Sequence, residues 1–226
     1  MKHFLITAAF IASCLTASAQ DYEPTSTWPY IYGEFTPGKL IYHTGKEMNS
    51  LYNIHIPSGK LHFIEGDMIR EMSDISPFSV EIGEGAIYRN VNGKMMKVLA
   101  ASANGFVVED TEIDMARLNA TEGAYGSSSN SSATTALSSI VMAARVNVSH
   151  MELKNSKSDG QALPLTYRIY LVVADTVLNA SKKDVLGLNG IDRKKFDAFC
   201  KQNKIKWRNP DSLLIVIDYI AGSSAE

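Results

Sequence analysis

The chain has 226 residues, 45% of them hydrophobic and 20% charged, with a formal net charge of −2. That balance excludes a disordered polyelectrolyte, a collagen-like repeat and a polytopic membrane protein, and it allows one or two globular domains with a substantial core. Two cysteines, Cys14 and Cys200, exclude a disulfide scaffold and a cysteine-based zinc or iron–sulfur site.

Residues 1–19 read as a secretory signal peptide. Lys2 and His3 form a basic start, Phe4 to Ala12 is an apolar run, and Ala17-Ser18-Ala19 is a small-x-small cleavage motif that puts the mature start at Gln20. Ile11-Ala12-Ser13-Cys14 offers a rival reading as a lipoprotein motif, with Cys14 as the lipidated first residue. No other run is long and charge-free enough for a bilayer, which takes roughly 20 apolar residues. The expected product is therefore exported (periplasmic, outer-membrane-associated or extracellular) with no transmembrane helix in the mature chain.

Residues 21–29 are rich in Pro and Thr and read as an extended lead-in. The mature chain to residue 118 then reads as an antiparallel β-meander with strands at 31–36, 39–43, 50–56, 60–65, 78–82, 86–91 and 94–99, and an eighth near 106–109. Gly-Lys and Asn-Gly pairs supply the turns, because a type I′ turn needs positive φ at both central residues. A two-residue Asn92-Gly93 turn places Tyr88 opposite Lys97. A two-residue Ser58-Gly59 turn places Ile54 opposite Phe63 and His55 opposite His62, with the imidazoles on the face away from Ile54.

Residues 119–139 form a Ser/Thr-rich stretch with no face to bury, so a surface loop is expected. The remainder, 140–226, reads as an α+β part that can share one domain with the meander. Strands are expected at 145–153, 163–174 and 176–180. Ser181 with Asp184 forms a capping box for a short helix. Asp192 caps a second helix to about Asn203, with Phe196, Phe199, Cys200 and Asn203 along one stripe. Asn209-Pro210 starts a third, apolar nearly all round and expected to dock on the 163–174 strand. The fold class is α+β: an N-terminal antiparallel meander, a Ser-rich loop, then strands packed with two or three C-terminal helices.

Phe35-x-x-Gly38-x-Leu40, Tyr52-Asn53-Ile54 before Gly59-Lys60-Leu61-His62-Phe63, and the run from Ser181-Lys182-Lys183-Asp184 to the Leu213-rich helix form a recognisable series. In these residues the chain resembles a broad group of secreted proteins of Bacteroidota-type bacteria with no known activity. The resemblance speaks for fold and implies no catalytic residue. It also implies that Asp175-Thr176-Val177 and Asp211-Ser212-Leu213 match a short O-glycosylation pattern, although the second is more simply a helix start.

The mature chain has no Gly-rich phosphate loop, no His-Glu-x-x-His and no Gly-x-Ser-x-Gly. His55 and His62 would need a third ligand to hold zinc and read as surface imidazoles. The carboxylates Glu81, Glu84, Glu109, Asp110, Glu112 and Asp114 would need a cleft to hydrolyse a glycan. Cys200 reads as a buried thiol, and the early aromatics Trp28, Tyr30, Tyr32, Tyr42 and Tyr52 read as core. No catalytic, cofactor or metal residue is assigned.

The clearest signal is electrostatic. Residues 181–208 hold nine Lys/Arg and three Asp. Lys194, Lys195, Lys201, Lys204, Lys206 and Arg208 form a candidate anion-binding patch. Export argues against nucleic acid as the partner and for an anionic envelope component, a glycan or another envelope protein. The expected function is a non-enzymatic envelope or secreted protein acting by surface binding or assembly, and the alternative is a hydrolase of glycan or another extracellular polymer.

Overall fold

The computed structural model describes residues 22–73, 77–120 and 147–223. The signal sequence with Cys14, and the Ser/Thr-rich stretch beyond Ala120, lie outside the described residues. Ten antiparallel strands form one curled sheet, a half-barrel, and C-terminal helices pack on it.

The strands are β1 (Thr36–Tyr42), β2 (Glu47–His55), β3 (Lys60–Glu65), β4 (Met68–Glu71), β5 (Pro77–Ile82), β6 (Ala86–Val91), β7 (Lys94–Ser102), β8 (Gly105–Ile113), β9 (Leu165–Val173) and β10 (Thr176–Asn179). The helices are α1 (Met115–Ala120), α2 (His150–Asn155), α3 (Lys182–Val185), α4 (Arg193–Gln202) and α5 (Pro210–Ser223). The sheet order is β10-β9-β8-β7-β6-β5-β1-β2-β3-β4. Two meanders thus meet where β5 returns to pair with β1.

Three expectations are corrected. The stretch 31–36 is not a strand, because its backbone is spent on β2 in other ways: Ile31 N–H donates to Ile54 C=O, and the Asn53 amide bonds both polar groups of Tyr32. The strand at 68–71 was not expected, and it arises because Gly66 (φ +63) turns the chain straight back from β3. Of the stretch 145–153, residues 145–146 lie outside the described residues and the rest holds a helix start, not a strand: Ser149 is its N-cap and accepts from Glu152 N–H.

The Asn92-Gly93 turn behaves as expected. Both residues have positive φ (52° and 84°), and Tyr88 pairs with Lys97. The Ser58-Gly59 register is wrong by two. Lys60 pairs with His55 and His62 with Asn53, because a four-residue loop, 56–59, joins the strands. An even slip preserves the faces, so Ile54 and Leu61 still share the core side.

The curl brings the 56–59 loop to β7, where Met95 N–H donates to Gly59 C=O at 2.7 Å. A Cβ on Gly59 would lie 2.8 Å from Lys94 Cγ, so closure needs glycine there. The face enclosed by the curl buries Leu40, Tyr52, Ile54, Leu61, Val80, Ile82 and Tyr88.

At the other end α5 lies on β7, β8 and β9, wider than the single strand expected. Leu213, Val216, Ile217 and Ile220 are buried at helical spacing against Val107 and Leu171. The helix is not buried all round: Ile215 is 40% exposed, and Asp218 accepts from Ser102 and Asn104 in the β7–β8 turn. Gly105 permits the close approach of both β9 and α5, since a Cβ there would lie 2.2 Å from the Val172 carbonyl oxygen and 3.1 Å from Ile217 Cγ2.

The caps read from sequence are present. Ser181 Oγ accepts from Asp184 N–H, Asp192 accepts from Lys195 N–H, and Asn209 accepts from Ser212 N–H. Each satisfies a donor that the first turn of a helix leaves open. Among the described residues no helix is long and apolar enough to cross a membrane.

Candidate functional site

α4 has two unlike sides. Phe196 is fully buried, and its ring packs with Phe199, Tyr219 and Trp207 at centroid distances of 6.2, 5.2 and 6.5 Å. Phe199 lies 4.4 Å from Tyr219. This aromatic seam fixes the rotation of the helix and so dictates what faces water. Lys194, Lys195, Lys201, Lys204, Lys206 and Arg208 are all exposed. None has a carboxylate within ion-pair distance among the described residues, whereas the neighbouring Lys182 binds Asp197 at 2.9 Å. The turn after α4 is held by Lys204 in the left-handed region (φ +51) and by Lys206 N–H donating to Ser212 Oγ. Six cations are thereby displayed on a helix and a pinned turn.

Cys200, on the edge of the same seam, is half-buried. Burial raises its thiol above the usual range, Lys182 opposes that and Asp197 adds to it. Such a thiol is largely protonated at neutral pH and a poor nucleophile.

The histidines depart from expectation. His55 and His62 are buried, not surface imidazoles. The face they occupy is covered by residues 22–35 and α2, which pack Trp28, Tyr30, Phe35 and Leu153 around Ile69. The two-residue slip places the imidazoles diagonally, stacked with centroids 5.0 Å apart and planes within 6°. Parallel rings send their in-plane lone pairs in parallel directions, so they do not converge on one ion at zinc–nitrogen distances of about 2 Å. Among the described residues no cluster of three metal-ligating side chains occurs.

Tyr30 Oη lies 2.9 Å from His62 Nδ1, and Ser58 Oγ 2.8 Å from His55 Nδ1. His62 Nε2 is 3.4 Å from Glu71 Oε2, within ion-pair range but not hydrogen-bonded. The arrangement that serves both partners has the Tyr30 hydroxyl donating to Nδ1 and the ring proton on Nε2 toward Glu71. Burial, then repulsion from His62, pushes His55 down to about 3. Burial also lowers His62, against the pull of Glu71. Neutral imidazoles sealed from solvent do not serve as catalytic bases.

The carboxylates give one pair. Lys94 Nζ donates to Asp110 Oδ2 at 2.9 Å and to Glu112 Oε1 at 2.6 Å, and Arg168 lies 3.5 Å from Glu112. Lys94 holds Glu112 below the usual carboxylate range, outweighing its partial burial. A glycoside hydrolase needs one carboxylic acid kept protonated, and here the ammonium does the opposite. Neither carboxylate lines the larger described cavity, a groove of about 690 Å3 between the β6–β7 and β9–β10 turns on the face away from α5.

The early aromatics are core, as expected: Trp28, Tyr30 and Tyr52 are buried, and Tyr32 Oη meets Tyr88 Oη at 2.9 Å. Of the two glycosylation-type triplets, Thr176 is exposed at the start of β10, whereas Ser212 Oγ is engaged by Lys206 N–H inside α5. Sequence reasoning missed the sealed imidazole layer, because alternation tells which face a residue takes but not what covers that face.

No family model, curated protein or solved structure matches the chain.

Proposed function

We propose that this is an exported, non-enzymatic binding protein that docks on an anionic envelope component through α4 and the turn that follows. The observation that supports the reading is the display of Lys194, Lys195, Lys201, Lys204, Lys206 and Arg208 without carboxylate partners among the described residues, on a helix whose orientation is fixed by the Phe196 seam. The rest of the mature chain carries 12 basic and 21 acidic residues. The molecule is therefore strongly dipolar and turns its basic end toward anionic surfaces despite a net negative charge. The hydrolase alternative is weaker on the same geometry, because Lys94 bridges Asp110 and Glu112 and holds Glu112 below the usual carboxylate range, and the imidazoles are sealed.

Co-sedimentation with vesicles tests this. Mature protein is expected to pellet with vesicles rich in anionic phospholipid at low salt, to remain in the supernatant with neutral phosphatidylcholine vesicles, and to be released near physiological ionic strength, where the Debye length falls to about 8 Å. A glycan array with acidic and neutral members runs in parallel. Failure to bind any anionic vesicle or acidic glycan at low salt refutes the reading.

A further inference from the structure

Residues 22–35 and 147–163 form a second layer over β2, β3 and β4. Thr25 and Thr27 hydroxyls donate to the Lys157, Ser156 and Asp159 carbonyls, Ser26 N–H donates to Gln161 C=O, and Leu163 N–H to Pro24 C=O. The two segments are thus tied to each other. They meet the sheet through Ile31 N–H to Ile54 C=O, Ile56 N–H to Pro29 C=O, Ile69 N–H to Val148 C=O and the Asn53 side chain.

Among the described residues the only buried side-chain nitrogens or oxygens without a hydrogen-bond partner are Nε2 of His55, His62 and His150. All three lie on this one boundary. His55 and His62 rise from the sheet against Tyr30, with ring centroids 5.4 and 5.6 Å away. His150 descends from α2 against Phe35 at 5.4 Å. Imidazole Nε2 atoms buried at a single internal boundary without a hydrogen bond are what a protonation-sensitive contact requires, since charging a ring there puts a cation where water does not reach it.

We propose that this layer is an acid-released clasp: closed on β2–β4 while His55, His62 and His150 are neutral, and lifted from the sheet when they take up protons. The groups facing them favour that outcome. His55 is stacked on His62, so a proton on one opposes a proton on the other. His62 has one carboxylate, Glu71, at 3.4 Å without a hydrogen bond; it favours the charged ring, and burial outweighs it. His150 feels Lys154 on its own helix, with Asp67 and Glu34 opposing. Glu34 is itself committed to Lys154 at 3.2 Å and Lys157 at 3.7 Å. Imidazole is the side chain whose ordinary titration falls between pH 5 and 8, so the histidines are the groups the proposal turns on. Burial lowers all three. The closed layer therefore binds fewer protons than the open one, and acid favours opening by up to tenfold per pH unit for each imidazole. The proposal does not rest on the anion-binding reading.

Hydrogen exchange on the mature protein tests it, with protection factors corrected for the intrinsic pH dependence. From pH 7 to 5 the amides of Ile31, Ile56 and Ile69 are expected to lose at least tenfold in protection. Leu171, in the β8–β9 ladder, keeps its protection. The His55→Gln, His62→Gln, His150→Gln triple variant, if it folds, flattens the pH dependence at Ile31 and Ile69. Unchanged protection at Ile31 and Ile69 down to pH 5 overturns the clasp. So does loss of protection at Leu171 in the same step, which would make the event global acid unfolding.

Discussion

The α4 segment and the layer over β2–β4 handle basic side chains in opposite ways. α4 buries aromatics and holds its cations in water, where exposed charges contribute little to stability. The 22–35 layer buries imidazoles that are basic in water and makes them neutral. The difference teaches that the same class of residue becomes a displayed charge or a buried neutral group according to what covers it. Covering is decided by segments distant in sequence: Trp28 and His150 seal a face formed by residues 53–71.

The comparison can be broken most sharply at the seam. Phe196→Ala should remove the fully buried ring that orients α4 and lower unfolding stability by about 3–5 kcal/mol in urea titration. It should also blur the cation display. A loss near zero would mean that α4 is not docked as described.

On the other side Asn53 plays the corresponding part. Its side chain accepts from Tyr32 N–H and donates to the Tyr32 and Glu34 carbonyls at 3.0, 2.8 and 3.1 Å. Asn53→Ala leaves Tyr32 N–H without its partner, while the Tyr32 and Glu34 carbonyls keep Trp28 Nε1–H and the Thr36 hydroxyl, so a loss of about 1–3 kcal/mol is expected. Equilibrium denaturation measures it.

Acid sharpens the contrast further. His55 has a folded-state value of about 3, below the 6.5 of an exposed imidazole. The unfolded chain therefore takes up this proton first. The stability linked to His55 is fully present above about pH 6.5 and declines as pH falls toward 3. Between pH 6.5 and 5 the expected loss is about 1.6 kcal/mol, since the slope rises from half of its limit of roughly 1.4 kcal/mol per pH unit. Denaturant midpoints across that range read it out, and His55→Gln should reduce the slope.

Much of this contrast was legible in the sequence on the α4 side and little on the other. The Asp192 cap and the spacing of Phe196, Phe199 and Cys200 determine which side of α4 is buried, so the outward set of lysines follows from the helical period. The Asn92-Gly93 register followed because both residues take positive φ. At 58–59 only Gly59 does (φ +66), and the loop opens to four residues. Faces survived the two-residue slip, but the position of His55 against His62 did not. The lead-in read as extended because Pro and Thr disfavour regular elements. Its burial depends on pairing with β2 and with the segment after α2, and neither contact leaves a local pattern. The β5–β1 pairing is equally silent, since nothing in either strand names its partner.

The smallest expected stability effect belongs to the cations. Changing Lys194, Lys201 and Lys204 to Glu should leave the melting temperature within about 2 °C of the wild type, because exposed charges on a solvated face contribute little. Those same changes carry the most direct test of the central claim. On a heparin column at roughly 20 mM salt, where the Debye length is about 20 Å, the mature wild type is expected to be retained and to elute as salt rises, while the folded triple variant passes through. Wild type that flows through, or a triple variant retained as strongly as the wild type, would contradict the assignment of α4 and its turn as the docking surface.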